Sequence, residues 1–600
     1  MTAQVSFENL PSEILLNILD YLSTNEIIYA FLCLKSKFRR FLFEHERYLN
    51  NYEIAIVNYG FYEKILPIFS PRVRSLTIPT TDLSFSLDIL PNLRTVIISS
   101  PFGLSDQSLQ RLLSSNQFQN LRVFKIQSEK YLKSRSSILR DNFEHYLFAN
   151  IFQNQNKLQI FECASLISLF SRKTVSNFHR NPSLTSLTLY LNEFRDIFIV
   201  LRYTPNLIHL NIKTALCVIH QKHEQWFNND QTKLQRLYLT FVTKDSMHTE
   251  YTTNKLDFLH LVSDIKLFSS TLTCLSMNFT DLQIYSTDEF PFNGLKLQHQ
   301  LLESMTELKQ FHLYSKIQQQ FLEPENVLAT FQDQFWFDRN WSIGMHGKYL
   351  YTLPFHFDEL HGFLDFDRVK SNNNKILNSC GIWSKVKFIQ LARSNRFNLG
   401  LIKQMKIKFP RLNAIRFLSS GLYSYSEVLE QTNINEDEIL RSVSIVDLEG
   451  GSMENIKQWL VYVLPNVKHL SLSYTGLPST NSQLVPILNG RIERLDIIEQ
   501  SIIEQINRTN RTYFSNVKDL RLMIYNVEGK FHWYVNTLMK ILRNYKRLNM
   551  LLICIVDDDD VQTFRSSEAE LSKIIEYLKM NGIERYFHIK RHRESAVFYK

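Results

Sequence analysis

Glycine is scarce in this chain, with 15 in 600 residues against a usual share of about 7%. Tight turns that need positive φ, and glycine-rich loops that cradle phosphates, therefore have few places to form. Neither the GxxxxGKS/T loop nor GxGxxG occurs, and HExxH and GxSxG are missing as well. These absences remove the sequence signals of nucleotide, zinc-protease and serine-hydrolase chemistry. Cysteine is rarer still. The six cysteines, at 33, 163, 217, 274, 380 and 554, lie far apart, so no CxxC redox or zinc pair exists and the thiols are expected to be reduced and mostly in the core. Long apolar runs are also lacking. No uninterrupted stretch approaches the ~18 residues of a membrane span, and the opening MTAQVSFENLPSE has no basic and then apolar leader pattern. The expectation is a cytoplasmic or nuclear protein with no membrane partner and no cofactor.

What is present is apolar and aromatic. Hydrophobic residues make up 44% and aromatics 13%, with 44 Phe, enough to build a packed interior and too much for a disordered chain. Single cores stop growing near ~250–300 residues, so 600 residues imply several domains or one elongated repeat array. The 68 basic and 59 acidic residues leave a net charge of +9, a mild excess that does not point to nucleic acid. The compact basic run Lys590, Arg591, His592 and Arg593 reads as a solvated terminus.

The N-terminal forty residues carry three short amphipathic segments. Leu10-Pro11-Ser12-Glu13 reads as a helix start, with Pro11 at the first helical position and Glu13 at the positive end of the dipole. Ile14, Leu15, Ile18, Leu19 and Leu22 then lay an apolar stripe along about three turns. Ser23 with Glu26 forms a capping box before Ile27, Ile28, Phe31, Leu32 and Leu34. A third helix is basic outside through Lys37, Arg39 and Arg40, with Phe38, Phe41 and Leu42 inward. A unit this small covers its own apolar surface poorly, so a partner is a natural cover. The run LPSEILLNILDYLSTNEIIYAFLCLKSKFRRFL resembles the F-box. The resemblance implies docking to a Skp-type adaptor and, through it, a cullin scaffold. The contact positions it implies are Leu10, Pro11, Ile14, Leu15, Ile18, Leu22, Ile27, Ile28 and Phe38. Where the family has Val-Cys-Lys-x-Trp this chain has Leu34-Lys35-Ser36-Lys37-Phe38, with Phe38 at the tryptophan position.

Beyond residue 70 a short phrase recurs: apolar, two others, apolar, one other, apolar. It starts at Val73, Leu93, Leu121, Leu158, Leu184, Leu207, Leu234, Leu272 and Leu308, then at Val386, Leu412, Val443, Val467, Ile492, Val517 and Leu548. Apart from the long interval between Leu308 and Val386, the spacing averages about 28 residues, near the range of leucine-rich repeats. The chain resembles that family, most fully at LTSLTLYLNEF (184–194) with Asn192 at the ladder position, while Thr81, Thr280 and Thr475 stand there in other repeats. Pro91, Pro182, Pro205 and Pro465 precede phrases and mark where one element stops and a strand begins. The fold expected is α/β: a helical F-box over 1–50, then an irregular leucine-rich-repeat solenoid in two parts, 60–314 and 384–600. Parallel strands would line its concave face, with helices outside. Between the parts, 315–383 is crowded with aromatics such as Phe335-Trp336-Phe337 and Tyr349 to Phe357. That segment is expected to form short strands or a hairpin, or degenerate repeats.

Together these readings predict a binding protein, not an enzyme, with no catalytic residue and no metal. His356, Asp358, Glu359, His361, Asp365 and Asp367 form the best polar cluster, read as a solvated strand-and-turn edge. His220 with His223, and His588 with His592, could each offer two metal ligands on a helical face but, with no third ligand in view, are read as surface histidines, and Asp557–Asp560 as a charged turn after a strand. By resemblance the chain is the substrate-recognition subunit of a Skp–cullin–F-box ubiquitin ligase holding an unknown protein substrate. The alternative is a repeat scaffold for protein or RNA with no ligase role. Strand alternation turns the residues between the apolar ones outward. This nominates Ser186, Thr188 and Tyr190; His209, Asn211 and Lys213; Arg236, Tyr238 and Thr240; and Cys274, Ser276 and Asn278. Tyr190, His209, Asn211, Arg236 and Tyr238 are the substrate-binding candidates, with His469, Arg494 and Arg521 on later rungs as the second choice.

Overall fold

The computed structural model describes residues 10–22, 51–53, 70–127, 147–163, 178–215, 232–242, 258–280, 293–317, 323–392, 398–418, 435–452, 459–476, 484–498, 514–525, 531–556, 572–580 and 588–599, apart from short gaps at 72, 79–82, 84, 100–105, 154, 192–193, 380, 545–546 and 593–594. The protein is mixed α/β and built on large, mainly parallel sheets. It divides into two compact units. One takes 1–242, 259–275 and 304–308, and the other takes 243–258, 276–303 and 309–600.

The phrase sets the strands. In all sixteen cases a strand begins two residues after the phrase starts, because the phrase's second and third apolar residues point to one side of an extended chain and bury there. In the first unit the strands are β1 (Asn51–Glu53), β2 (Ser75–Ile78), β3 (Thr95–Ile98), β4 (Val123–Ile126), β5 (Ile160–Cys163), β6 (Ser186–Leu191), β7 (His209–Ala215) and β8 (Arg236–Val242). They pair in parallel and in chain order. Register is constant, so Leu76, Val96, Phe124, Phe161, Leu187, Leu210 and Leu237 form one buried row. Each such side chain contributes about 1.5–3 kcal/mol by burial. The next strand, β9 (Cys274–Phe279), starts with the Cys274 N–H donating to the Gln235 carbonyl at 3.0 Å.

Asparagine fixes the corner before several strands. The side-chain amides of Asn92, Asn206, Asn466 and Asn516 donate to the carbonyls of Pro71, Pro182, Arg441 and Gly490, each two residues before the previous phrase. Lys157, Lys233 and Arg547 in turn donate to the Oδ1 atoms of Asn120, Asn206 and Asn516. The Pro-Asn-Leu prefix is thus a hydrogen-bonded corner, and its asparagine does as much as its proline. Asn192 and Thr81 lie outside the described residues.

In the second unit β10 (Gln310–Lys316) pairs antiparallel with β12 (Tyr349–Leu353), which forms a hairpin with β11 (Ser342–His346). Gly347, at φ 50°, makes the turn, a conformation glycine takes without steric cost. Thus the aromatic segment does contain a hairpin. Beside it, β13 (Glu359–Phe363) starts a second sheet. It continues through β15 (Phe388–Leu391), β16 (Ala414–Leu418), β17 (Ile445–Ser452), β18 (His469–Gly476), β19 (Arg494–Ile497), β20 (Asp519–Tyr525) and β21 (Met550–Val556) in parallel order. The short strand β14 (Lys370–Ser371) joins β11, while β22 (His588–His592) and β23 (Ser595–Tyr599) close the far edge antiparallel. His588 and His592 therefore belong to a strand and not, as expected, to a helix. Tyr351, Phe355 and Trp383 pack at 5.4–5.6 Å between ring centroids, in edge or tilted contacts that aromatic quadrupoles favour.

Candidate functional site

The N-terminal helix spans Ser12–Asp20, with Pro11 as its N-cap and not its first helical residue. The Pro11 carbonyl accepts from Ile14 and Leu15 N–H at 3.1 Å. Leu15 and Leu19, four apart, are buried, while Ile14 is 45% exposed and Tyr21 91% exposed. Leu10, Ile18 and Leu22 are half-buried and Pro11 is exposed. The helix thus has one apolar stripe inside and a second, Pro11–Ile14–Ile18, reaching solvent. Ser12, Glu13, Asn17 and Asp20 are exposed as well, so the rest of the outer face is polar. Ile27, Ile28 and Phe38 lie outside the described residues, as do the Ser23 capping box and the two helices expected after it.

On the first unit's sheet, Ser186 and Thr188 are half-buried as alternation predicts, and His209, Asn211 and Tyr238 are half-buried beside an exposed Arg236. Register brings four of the five candidates together: His209 stands opposite Arg236, and Asn211 opposite Tyr238. The His209 and Tyr238 rings lie 5.0 Å apart. The Cys274 thiol donates to the Tyr238 hydroxyl at 3.6 Å. Burial pushes the Tyr238 phenol up to about 12, so it stays a neutral hydrogen-bonding group. Burial, helped by Arg236, lowers the His209 imidazole against the smaller pull of Glu162. Tyr190 is a correction: it is 5% exposed and clusters with Val242, so it offers little to a ligand. Cys274 and Ser276 are also buried, the first of them because the Tyr238 hydroxyl sits against it.

The second unit carries a charged row. Arg416, Asp447, Ser471, Asp496 and Arg521 occupy matching positions on β16 to β20. The Arg416 Nε donates to Asp447 at 2.6 Å. The His469 Nε2 lies 2.8 Å from an Asp496 oxygen, and a carboxylate can only accept, so that nitrogen carries the proton. Arg494 and Arg521 approach the other Asp496 oxygen at 3.4 and 3.9 Å. Burial alone would raise the Asp496 carboxyl, but the bond from His469 and the charges of His469, Arg494 and Arg521 hold it down to about 2. His469, Arg494 and Arg521 are the later-rung candidates, and the structure brings them onto one aspartate. Sequence reasoning missed Asp447, Asp496 and Arg416. Their signal is legible afterwards: oppositely charged residues stand at the same phrase position in NAIRF, SIVDL, ERLDI and KDLRL.

In the polar cluster of the aromatic segment His361 and Glu359 approach each other at 3.6 Å, and other members take separate partners. Asp358 pairs with Lys387, Asp365 with Arg368, and His361 bonds Gln390 through Nδ1 at 2.8 Å. His356 stacks on His312, ring centroids 3.9 Å apart. Among the described residues no group of three His, Cys, Asp or Glu side chains is arranged to hold a metal ion, and no helix is long and apolar enough to cross a membrane. His220, His223 and Asp557–Asp560 lie outside the described residues. No protein-family model matches the chain, and no curated protein does.

Proposed function

We propose that this chain is a substrate receptor of a Skp–cullin–F-box ubiquitin ligase. The N-terminal helix docks a Skp-type adaptor, and the rows of parallel strands, read as an irregular leucine-rich-repeat solenoid, hold a protein substrate. The observation that carries the reading is the open apolar stripe of the helix. Leu10 and Pro11 lead into it, and Ile14 projects to solvent beside a buried Leu15 and Leu19. An apolar stripe on a short terminal helix marks a partner surface. The mechanism is proximity: the receptor performs no covalent step, and binding raises the effective concentration of substrate lysines beside a ubiquitin-loaded enzyme. The substrate face centres on His209, Asn211, Arg236 and Tyr238, an Arg–Tyr combination typical of binding hot spots.

The test is calorimetric titration of a purified Skp-type adaptor into the full-length chain and its Ile14→Asp variant. Burying Asp in place of Ile loses about 1.5–3 kcal/mol of apolar transfer, so affinity should fall by roughly ten- to a hundredfold, with unchanged thermal stability. Absence of adaptor binding by the wild type would favour a scaffold with no ligase role.

A further inference from the structure

One edge of the first unit's sheet is lined by arginine. The residue after each phrase's opening apolar residue is Arg74, Arg94 and Arg122 on three consecutive rungs, and on the unit's later rungs this position is never acidic. Backbone bonds hold the three in line. The Arg74 carbonyl accepts from Arg94 and Thr95 at 2.8 and 3.0 Å, the Arg94 carbonyl from Arg122 and Val123 at 2.8 and 3.0 Å, and the Arg122 carbonyl from Gln159 and Ile160 at 2.8 and 2.9 Å. Neighbouring strands are about 4.8 Å apart, so the row of backbone positions is about 10 Å long. Arg74 and Arg122 are exposed and Arg94 half-buried, its Nη1 donating to the Asn120 carbonyl at 3.4 Å. No carboxylate pairs with Arg94 or Arg122 among the described residues.

The same edge of the second unit is built differently. There Lys468 and Lys518 both bind Glu493, at 3.3 and 3.0 Å, and Lys387 binds Asp358 at 3.2 Å. Acids stand beside bases at these points, with neutral Asn413 and Ser444 between Lys387 and Lys468. The arginine edge borders half-buried Ser75, Thr77, Thr95, Ile97 and Val123, a mostly β-branched floor with no aromatic ring among the described residues, ending at Lys125, which pairs with Glu162 at 2.8 Å.

We infer that this edge and floor bind an extended acidic peptide segment. Acidic side chains on alternate residues of an extended chain lie about 7 Å apart, so two of them fit along the arginine row, and the Arg94 and Arg122 guanidinia can each grip one in bidentate fashion. The β-branched floor takes the small side chains between. Single-stranded nucleic acid is the poorer fit, because it binds by stacking bases on aromatic platforms that this floor lacks. The inference goes beyond the receptor reading and needs no adaptor.

Fluorescence anisotropy on the full-length chain tests it, with a labelled peptide of about twelve residues, long enough to span the row when extended, bearing Glu at alternate positions and Ala or Val between. A labelled oligouridylate is the second probe. The peptide should bind, more weakly as salt rises. Replacing Arg94 and Arg122 with Gln should weaken binding about fourfold or more, since each of the two charge pairs contributes a factor of roughly two to five. Should that variant unfold, Arg122→Gln alone, which keeps the bond from Arg94 to Asn120, should weaken binding about twofold or more. Lys468→Gln with Lys518→Gln, a comparable loss of charge elsewhere, should bind as wild type. So should Ile14→Asp, which separates this result from any failure of adaptor docking. No peptide binding by the wild type, an equal loss in the lysine variant, or tighter oligouridylate binding that depends on the same arginines would overturn the inference.

Discussion

At the scale of single residues, Asp496 organises the second unit's charged row. His469, Arg494 and Arg521 converge on one half-buried carboxylate, and removing its charge leaves cations facing one another. Asp496→Asn should cost about 1.5–3 kcal/mol at neutral pH, the range for hydrogen bonds to charged groups, read as a shift in urea midpoint. The sign with pH follows from the depressed carboxyl. It is held at about 2 against its ordinary 3.8, so its contribution is complete above pH 3.8 and is lost as pH falls towards 2. The variant and the wild type should converge there. A constant difference down to pH 2 would mean that the substituted amide harms packing and not charge. These residues also mark what a single sequence conveys. His469, Arg494 and Arg521 are visible as outward positions, but the aspartates that bind them are not, because a pairing across rungs needs the register as well as the phrase.

At the scale of elements, strand positions are legible because the phrase is a direct record of burial: its apolar positions sit inside. The hairpin from Ser342 to Leu353 is legible through its aromatic alternation. The burial of Tyr190, Cys274 and Ser276 is not, because outward-pointing side chains can still be covered by neighbours such as Val242 and Tyr238. The hairpin also imposes a pH dependence. His346 donates from Nε2 to the His361 carbonyl at 2.8 Å and accepts at Nδ1 from the Tyr351 hydroxyl at 3.1 Å. Burial lowers it to about 4, and burial beside His356 lowers His312 to about 3, both from 6.5. Both imidazoles are neutral when folded and take protons first in the unfolded chain. Stability is therefore complete above pH 6.5 and declines as pH falls from 6.5 towards 4, by up to about 1.4 kcal/mol per pH unit for each group. His312 has a buried Nε2 with no hydrogen bond. His312→Phe keeps the stack on His356, removes a buried polar atom, and should flatten the slope by about one proton's worth. Thermal melts between pH 7.5 and 5 that fall as steeply in the variant would refute this.

At the scale of the whole molecule, the sixteen occurrences of one phrase coincide with sixteen strands among the described residues. The scarcity of glycine fits this plan, since its corners are made by asparagine amides and proline. Substrate recognition is expected on the first unit's rungs, so Arg236→Ala with Tyr238→Ala should lower recovery of bound protein about tenfold or more, the range for two hot-spot side chains, while leaving adaptor binding intact.

The most direct test of the receptor account is quantitative mass spectrometry of proteins recovered with tagged full-length chain and with its Ile14→Asp variant. The account predicts a Skp-type adaptor and cullin with the wild type, their loss from the variant, and retention of the remaining bound proteins by both. An adaptor absent from the wild type, or recovered equally with Ile14→Asp, would contradict it.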